Sequence, residues 1–439
     1  MTIVSTAVGA QTLVAGEVLY LTSSGSITSP GLVGIGSFAA DVGAVIAGSV
    51  IAGQGVIFIH ADLPSADFLD VTATGSILGT DYGVGIGDNT SFDLENDGSV
   101  SGGKWALFLE NSSGTGADTI RNFGTMHGGL AAIHVDPGFA YANEIDIVND
   151  GVMFGGTMAL DLAGATSHVS LANAGMIHGD VVTGAGDDSV INSGRIQGRI
   201  STNGGSDLVD TSEGLTRRVS IDLGAGDDLA TLGAGHEFVS GGAGTDVVSY
   251  YLSTAIVLNL LHPSLNRGDA AGDSFAGIEE FQGSDQGDDR MTGRAGAEVL
   301  SGLQGDDSLS GGAGADSLAG GLGADRLTGG SGDDSFVFHA AYEGGDRITD
   351  FARGTGNHDH VVFSAAGFSL DLPEGALDAS HFAARADNAA QTGDAWFVFR
   401  TTDHSLWFDA DGNGAGAAVL IATFAPLVTL SAADIVIAL

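Results

Sequence analysis

The sequence contains no cysteine, only 6 prolines, and only 14 lysines and arginines against 55 acidic residues in a chain of 439. Each shortage removes a class of explanation. Without cysteine there is neither a disulfide framework nor a thiolate metal site, although the redox compartment stays open. A formal charge of -41, with no basic residue before Lys104, sets the chain against nucleic acid and anionic membranes and makes cations its natural partners. No uninterrupted apolar run approaches the ~20 residues that span a bilayer, so no transmembrane segment is expected. The opening MTIVSTAVGAQTLVAGEVLYL also lacks the positive region of a cleavable export signal. If the protein is exported, its address lies elsewhere in the chain.

Glycine is what the sequence has in abundance: 72 residues, each costing ~0.5–1 kcal/mol relative to alanine within regular structure. The 43% of hydrophobic residues can build a core, but something beyond ordinary packing must offset the glycine. Two internal periods indicate what that is. In the amino-terminal half, Asn-x-Gly-x-apolar-x-Gly begins at Asn96, Asn122, Asn149, Asn173 and Asn192, in steps of 26, 27, 24 and 19 residues. Weaker relatives begin at Gly25, Gly48 and Gly75. Such steps suit one coil of a β-helix, in which three short strands and their turns form a rung about 4.8 Å above the last. On this reading glycine permits a left-handed turn, the apolar residue points inward, and the asparagines stack as an amide ladder.

In the second half the period shortens to nine. Three nonapeptides, LGAGDDLAT, LGAGHEFVS and GGAGTDVVS, run from Leu223 to Ser249, and six more run from Ser284 to Val337. Looser copies surround Asp188 and Asp207. The long period merges into the short one without a linker, which predicts one continuous all-β parallel solenoid. The expected domains are an amino-terminal β-helix over 1–182, a transition and first nonapeptide block over 183–255, a hairpin or loop insertion over 256–283, a second block over 284–337, and a β-rich cap over 338–439. The cap is expected because aromatic and apolar residues return in FVFHAAYEGGDRITDF and AWFVFRTTDHSLWFDADGNGAGAAVLIATF.

These nonapeptides resemble the Gly-Gly-x-Gly-x-Asp-x-apolar-x repeat of the RTX calcium-binding proteins. The resemblance implies a β-roll with two nonapeptides per coil and calcium held between stacked turns. Its acidic positions fall on Asp188, Asp207, Asp228, Asp246, Asp289, Asp307, Asp316, Asp325 and Asp334. Asp289, Asp307 and Asp325 would form one column, and Glu298, Asp316 and Asp334 the opposite one. Backbone carbonyls exposed by the glycine turns, at Gly305, Gly312, Gly314, Gly321, Gly323, Gly330 and Gly332, would complete an oxygen shell suited to a hard cation. Glu237, Glu298 and the stretch 284–286 depart from the pattern and are expected to weaken or displace an ion. With dissociation constants of ~10⁻⁴–10⁻³ M, tenfold excess calcium gives about 1.4 kcal/mol per site. Half a dozen sites give ~8 kcal/mol, comparable to the stability of an ordinary domain.

The same resemblance implies export by type I secretion machinery, addressed by an uncleaved carboxy-terminal segment such as SAADIVIAL, with folding delayed until extracellular calcium is met. It also marks Asp346 and Asp350, in GGDRITDF, as capping ligands. Asp409, Asp411 and Asn413 open like an EF-hand loop, but Leu420 stands at the glutamate position, so a hairpin turn is expected there. The His358-Asp359-His360 cluster is read as an exposed polar turn. Neither H-E-x-x-H nor G-x-S-x-G occurs, and no catalytic residue is assigned.

The function expected is structural or adhesive, at a cell surface or in a matrix, with self-association through solenoid ends and a cell-surface glycan as a possible partner. The alternative is a carbohydrate-active enzyme, because a β-helix followed by RTX repeats also resembles mannuronan epimerases and some polysaccharide lyases. Their Asp-Pro-His-Glu motif is missing here. The nearest segment, HVDPGFAY, offers His134, Asp136 and Tyr141, with Lys104, Arg121 and His127 in preceding coils.

Overall fold

A computed structural model describes residues 2–438 apart from 5–6, 15, 30–32, 38–41, 60–65, 88–90, 111–115, 139–140, 215–217, 389–395 and 413–415. It is built from strands and turns, its helical elements being three-residue 3-10 turns. Among the described residues no helix is long and apolar enough to cross a membrane. The fold is the expected all-β parallel solenoid. The chain divides into two compact units, Met1–Asp246 with Phe275–Gly277, and Val247–Ser274 with Ile278–Leu439.

Up to Ser201 the first unit is a β-helix with three strands per coil. Strands Ser91–Asn96, Ser99–Gly102 and Trp105–Leu109 form one coil, and Ala117–Asn122, Thr125–Gly128 and Ala131–Val135 lie on them in parallel register. Alternation along each strand sends every second residue inward, so like residues stack from coil to coil. Leu94, Ile120, Ile147, Leu171, Val190, Val209 and Ala230 form one such buried row.

The amide ladder is present. The Nδ2 of each asparagine donates to the Oδ1 of the next, from Asn96 through Asn122, Asn149 and Asn173 to Asn192, at 2.6–2.7 Å. All five side chains are buried, so these bonds form where an unpaired amide is costly. The glycines of the motif serve a different purpose from the one the sequence suggested. Gly124, Gly151, Gly175 and Gly194 do not have positive φ. A Cβ on each would lie 2.1–2.2 Å from the carbonyl oxygen of the equivalent glycine one coil earlier, so close approach excludes a side chain.

From Leu208, still within the first unit, the coil contracts to two strands, Leu208–Asp210 with Ser220–Ala225 and Leu229–Thr231 with Phe238–Ala243, and the second unit is built in the same way. Arg290–Thr292, Ser308–Ala313 and Arg326–Ser331 stack in one sheet, while Val299–Ser301, Ser317–Ala319 and Ser335–Phe338 stack in the other. Registers advance by 18 residues, as two nonapeptides per coil require. The apolar residue of each repeat, from Met291 and Leu300 through Leu309, Leu318 and Leu327 to Phe336, is buried between the sheets.

The segment that interrupts the repeats contributes rungs of its own. Val257–Asn259 pairs with Arg290–Thr292 and Glu280–Gln282 with Val299–Ser301, with the loop between them held by Tyr250 Oη donating to Asp273 Oδ2 at 2.7 Å. Beyond Phe338, strands Asp346–Ile348 and His360–Ser364 continue the two sheets. Val419–Phe424, Ser405–Phe408 and Phe397–Arg400 then turn antiparallel over a core of Phe363, Phe397, Phe399 and Phe408. The DADGNG segment joins two of these antiparallel strands, as a hairpin turn should, although Asn413 lies outside the described residues.

Candidate metal centre

Each nonapeptide turn must place a carboxylate inside a glycine bend, and the backbone shows why glycine is required. Gly305, Gly314, Gly323 and Gly332 have φ of 127–144°, and Gly312, Gly321 and Gly330 have φ of 96–111°, a region L side chains rarely adopt. Their carbonyls also stack closely. A Cβ on Gly323 would lie 1.8 Å from the Gly305 oxygen, and one on Gly332 would lie 1.7 Å from the Gly314 oxygen. The turns therefore form narrow columns of carbonyl groups around the aspartates.

The aspartates follow the expected columns, and one oxygen of each has a structural task. Asp307 Oδ1 accepts the Asp289 N–H at 2.7 Å, Asp325 Oδ1 accepts that of Asp307 at 2.7 Å, and Asp346 Oδ1 accepts that of Asp325 at 3.0 Å. In the opposite column Asp316 serves Glu298 at 2.9 Å, Asp334 serves Asp316 at 3.0 Å, and Asp359 serves Asp334 at 3.2 Å. In the first unit the chain of bonds runs from Asp188 through Asp207 and Asp228 to Asp246, at 2.7–3.2 Å.

The second oxygen separates the interior of each column from its beginning. Oδ2 of Asp207, Asp228, Asp307, Asp316, Asp325, Asp334 and Asp346 is buried with no protein partner. Asp188 and Asp289 each begin a run of consecutive acidic turns, and both oxygens of each accept hydrogen bonds: Asp188 from Val169 and Gly184, Asp289 from Ile256 and Ser284. Buried anionic oxygens without donors are costly, and a hard cation among carbonyls removes that cost. The interior turns therefore fit calcium. Of the residues assigned from sequence, Asp188 and Asp289 contribute no orphaned oxygen to that fit.

Electrostatics agrees. Burial, reinforced by the charges of Asp289, Asp325 and Asp288, pushes the Asp307 carboxyl up to about 7. Asp207 is likewise raised to about 7, and Asp316 and Asp325 to about 6, burial being the leading cause throughout. Asp346 reaches about 8, through burial and then the charges of Asp325, Glu343 and Asp307. These are carboxylates that resist ionisation until a cation compensates them.

Two features escaped the sequence, and a third, Asp350, is marked there as a ligand. Asp359 is buried within its column and accepts from Ala352 as well as Asp334, correcting the reading of the His-Asp-His cluster as a wholly exposed turn. Asp350 stands outside the columns and accepts the N–H groups of Gly329 and Gly330. A second, exposed acidic ladder occupies the fifth repeat position, where Asp288 accepts from Asp306, Asp306 from Ala324, and Asp333 from His358.

Of the residues considered for polysaccharide chemistry, His134 and Lys104 meet at one indole, whereas Tyr141, His127 and Arg121 have other partners. His134 Nδ1 pairs with Asp161 Oδ2 at 2.7 Å and its ring stacks on Trp105 at 4.7 Å, with Lys104 beside the same indole. Tyr141 is fully buried and donates to Asp118, His127 stacks on Phe154, and Arg121 lies among Asp70, Asp93 and Glu95.

The family model for the RTX calcium-binding nonapeptide repeat matches four copies, over residues 220–248, 284–309 and 301–336. Among solved structures, the chain is similar to the AlgE6R3 subunit of the Azotobacter vinelandii mannuronan C5-epimerase, at 30% identity over 34% of this chain and 77% of that one, with a TM-score of 0.22. No curated relative matches the chain. The nonapeptide turns, with their buried carboxylates and stacked carbonyls, place the chain among the RTX proteins, whose repeats bind calcium ions.

Proposed function

We propose that this is an exported structural or adhesive protein, acting at a cell surface or in a matrix, whose folding is switched on by extracellular calcium. The observation that carries the reading is the set of buried, donorless Oδ2 atoms in successive turns. At low calcium these like charges repel and the folded state is penalised, whereas at millimolar calcium the penalty becomes a net gain. Type I secretion follows from the same logic. Residues 431–438 are folded, with Ile435 and Ile437 buried and Ile435–Ala438 paired to His360–Ser364, so a channel reading this segment must meet the chain before it folds. Self-association through solenoid ends or sides is the finer part of the proposal. Ile51 and Leu78, neighbours in register and 47% and 49% exposed, supply an apolar patch for it, and a surface glycan is a second partner class.

Circular dichroism and sedimentation, with calcium added and then chelated, test folding and assembly together. Loss of β signal on chelation and recovery on re-addition are expected. Equal compactness after exhaustive chelation refutes the calcium switch, and a strict monomer in millimolar calcium refutes self-association. The His134–Asp161 pair against Trp105 favours a second reading, activity on an acidic polysaccharide. A screen for uronate cleavage or epimerisation with His134→Ala and Lys104→Ala variants decides it: turnover lost in both supports the enzyme, and no turnover in wild type removes it.

A further inference from the structure

One turn of the second unit departs from its neighbours in a way that forms a single arrangement. The repeat 293–301 reads GRAGAEVLS, with Arg294 where the turns above carry Gly312 and Gly330, and with Glu298 where they carry Asp316 and Asp334. Arg294 Nε donates to Glu298 Oε1 at 2.9 Å, and the Arg294 backbone N–H reaches Oε2 at 3.3 Å. The guanidinium also donates through Nη2 to the Ile278 carbonyl at 3.0 Å. Glu298 is 2% exposed, as deeply placed as Asp316, yet both its oxygens have donors while Oδ2 of Asp316 and of Asp334 has none.

From this geometry we infer that Arg294 is a built-in cation: it occupies, for this one turn, the role that calcium has in the others. The extra methylene of glutamate carries the carboxylate to the guanidinium, whose fixed fork engages the carboxylate and a backbone carbonyl together. A calcium ion would be ligated by the same two kinds of group, carboxylate and carbonyl. The two substitutions are therefore complementary, and the turn at 293–298 is complete without metal. Its carboxylate meets a cationic side chain before calcium arrives, which makes it a fixed starting rung for the stack above. Arg294 and Glu298 have an opposite-charge contact that no exposed arginine of the block, such as Arg326, makes with a column carboxylate.

The inference rests on the calcium-binding reading of the neighbouring turns, and the test separates the two. Restoring the repeat with the double variant Arg294→Gly, Glu298→Asp should raise the number of calcium ions bound per folded chain by one over wild type, measured by native mass spectrometry and isothermal titration with calcium. An unchanged count in a folded double variant overturns the assignment, whereas absence of calcium from wild type overturns the calcium reading itself. A second variant, Arg294→Met, covers failure of the double variant to fold. At saturating calcium, a lowered urea midpoint or one additional bound ion supports the built-in cation. A wild-type midpoint with a wild-type ion count overturns it, with Arg326→Met as the exposed control.

Discussion

Replacing Asp307 by asparagine should shift stability in opposite directions with and without calcium. The amide retains an oxygen to accept the Asp289 N–H, now bonded at 2.7 Å, so the structural task of Oδ1 survives. What changes is the buried oxygen without a donor and the charge it carries. In the metal-free protein the carboxyl is raised from 3.8 to about 7. The folded state therefore binds a proton more tightly than the unfolded chain, and stability falls as pH rises from about 4 to about 7. At roughly 1.4 kcal/mol per pKa unit the ceiling is about 4 kcal/mol above pH 7, and water at the rim of the turns reduces this to about 2 kcal/mol. Asp307→Asn removes that penalty and should stabilise the metal-free fold by the same amount.

With calcium present the sign reverses. Removing one charged ligand should weaken the ions that Asp307 contacts about 10–100-fold, a loss of about 1.4–3 kcal/mol. Urea unfolding followed by circular dichroism at pH 7.5 measures both arms, with sucrose added in the chelated arm to keep the metal-free form folded. The midpoint should rise in chelator and fall in millimolar calcium. A variant destabilised equally in both conditions would mean that Asp307 acts only through packing and its Oδ1 bond, and the cation argument would fail.

Further predictions concern the turns and the β-helix. Gly323→Ala, with φ of 144° and a Cβ 1.8 Å from the Gly305 oxygen, should cost about 3 kcal/mol or more at saturating calcium; Gly9→Ala, with open space around it, should leave the urea midpoint unchanged. Asn122→Ala breaks the ladder on both sides of residue 122 and leaves the Asn96 amide without its 2.7 Å acceptor, so unfolding of the first unit should be easier by about 2–4 kcal/mol. Asp118 is raised to about 6, chiefly by burial and against hydrogen bonds from Tyr141 and Asn143. Its charge therefore costs stability above pH 6 and costs nothing below about pH 4. Asp118→Asn should thus be about 1–2 kcal/mol more stable than wild type at pH 7.5, and that advantage should disappear in a pH series approaching 4.

The sequence discloses what repeats and hides what does not. Because Asp289, Asp307 and Asp325 recur at 18 residues, the period alone defines their column. Asp346 follows Asp325 by 21 residues and Asp359 follows Asp334 by 25, and at those steps the period no longer fixes register. Asp359 was further disguised by flanking histidines that suggest a different chemistry. The first acids of the two runs were hidden for another reason. Asp188 and Asp289 occupy the acidic position of repeats with looser glycine patterns, and only the donors that Val169, Gly184, Ile256 and Ser284 bring in three dimensions show that their oxygens are engaged. The Arg294–Glu298 pair was visible only as a departure from pattern, since a spacing of four residues in a turn says nothing of whether the side chains meet.

The first unit also shows why calcium belongs to the short period and not to the long one. Strand register aligns Asp67, Phe92, Asp118, Ile145, Val169, Asp188, Asp207, Asp228 and Asp246 in a single column. At each aspartate of this column an oxygen accepts the N–H of the residue one coil earlier: Asp67 from Val42, Asp118 from Phe92, Asp188 from Val169. The carboxylate is thus a way of satisfying a strand-starting N–H, available with or without metal. In the long coils Phe92, Ile145 and Val169 separate the acids, and no two are stacked. From Asp188 onward every coil carries one, about 4.8 Å from the next, where two unit charges at an effective dielectric of 20 repel by about 3–4 kcal/mol. Where aspartate replaces the apolar residue in every successive coil, a tolerable backbone acceptor becomes an anionic stack, and the demand for a divalent cation follows from that succession rather than from the aspartate itself.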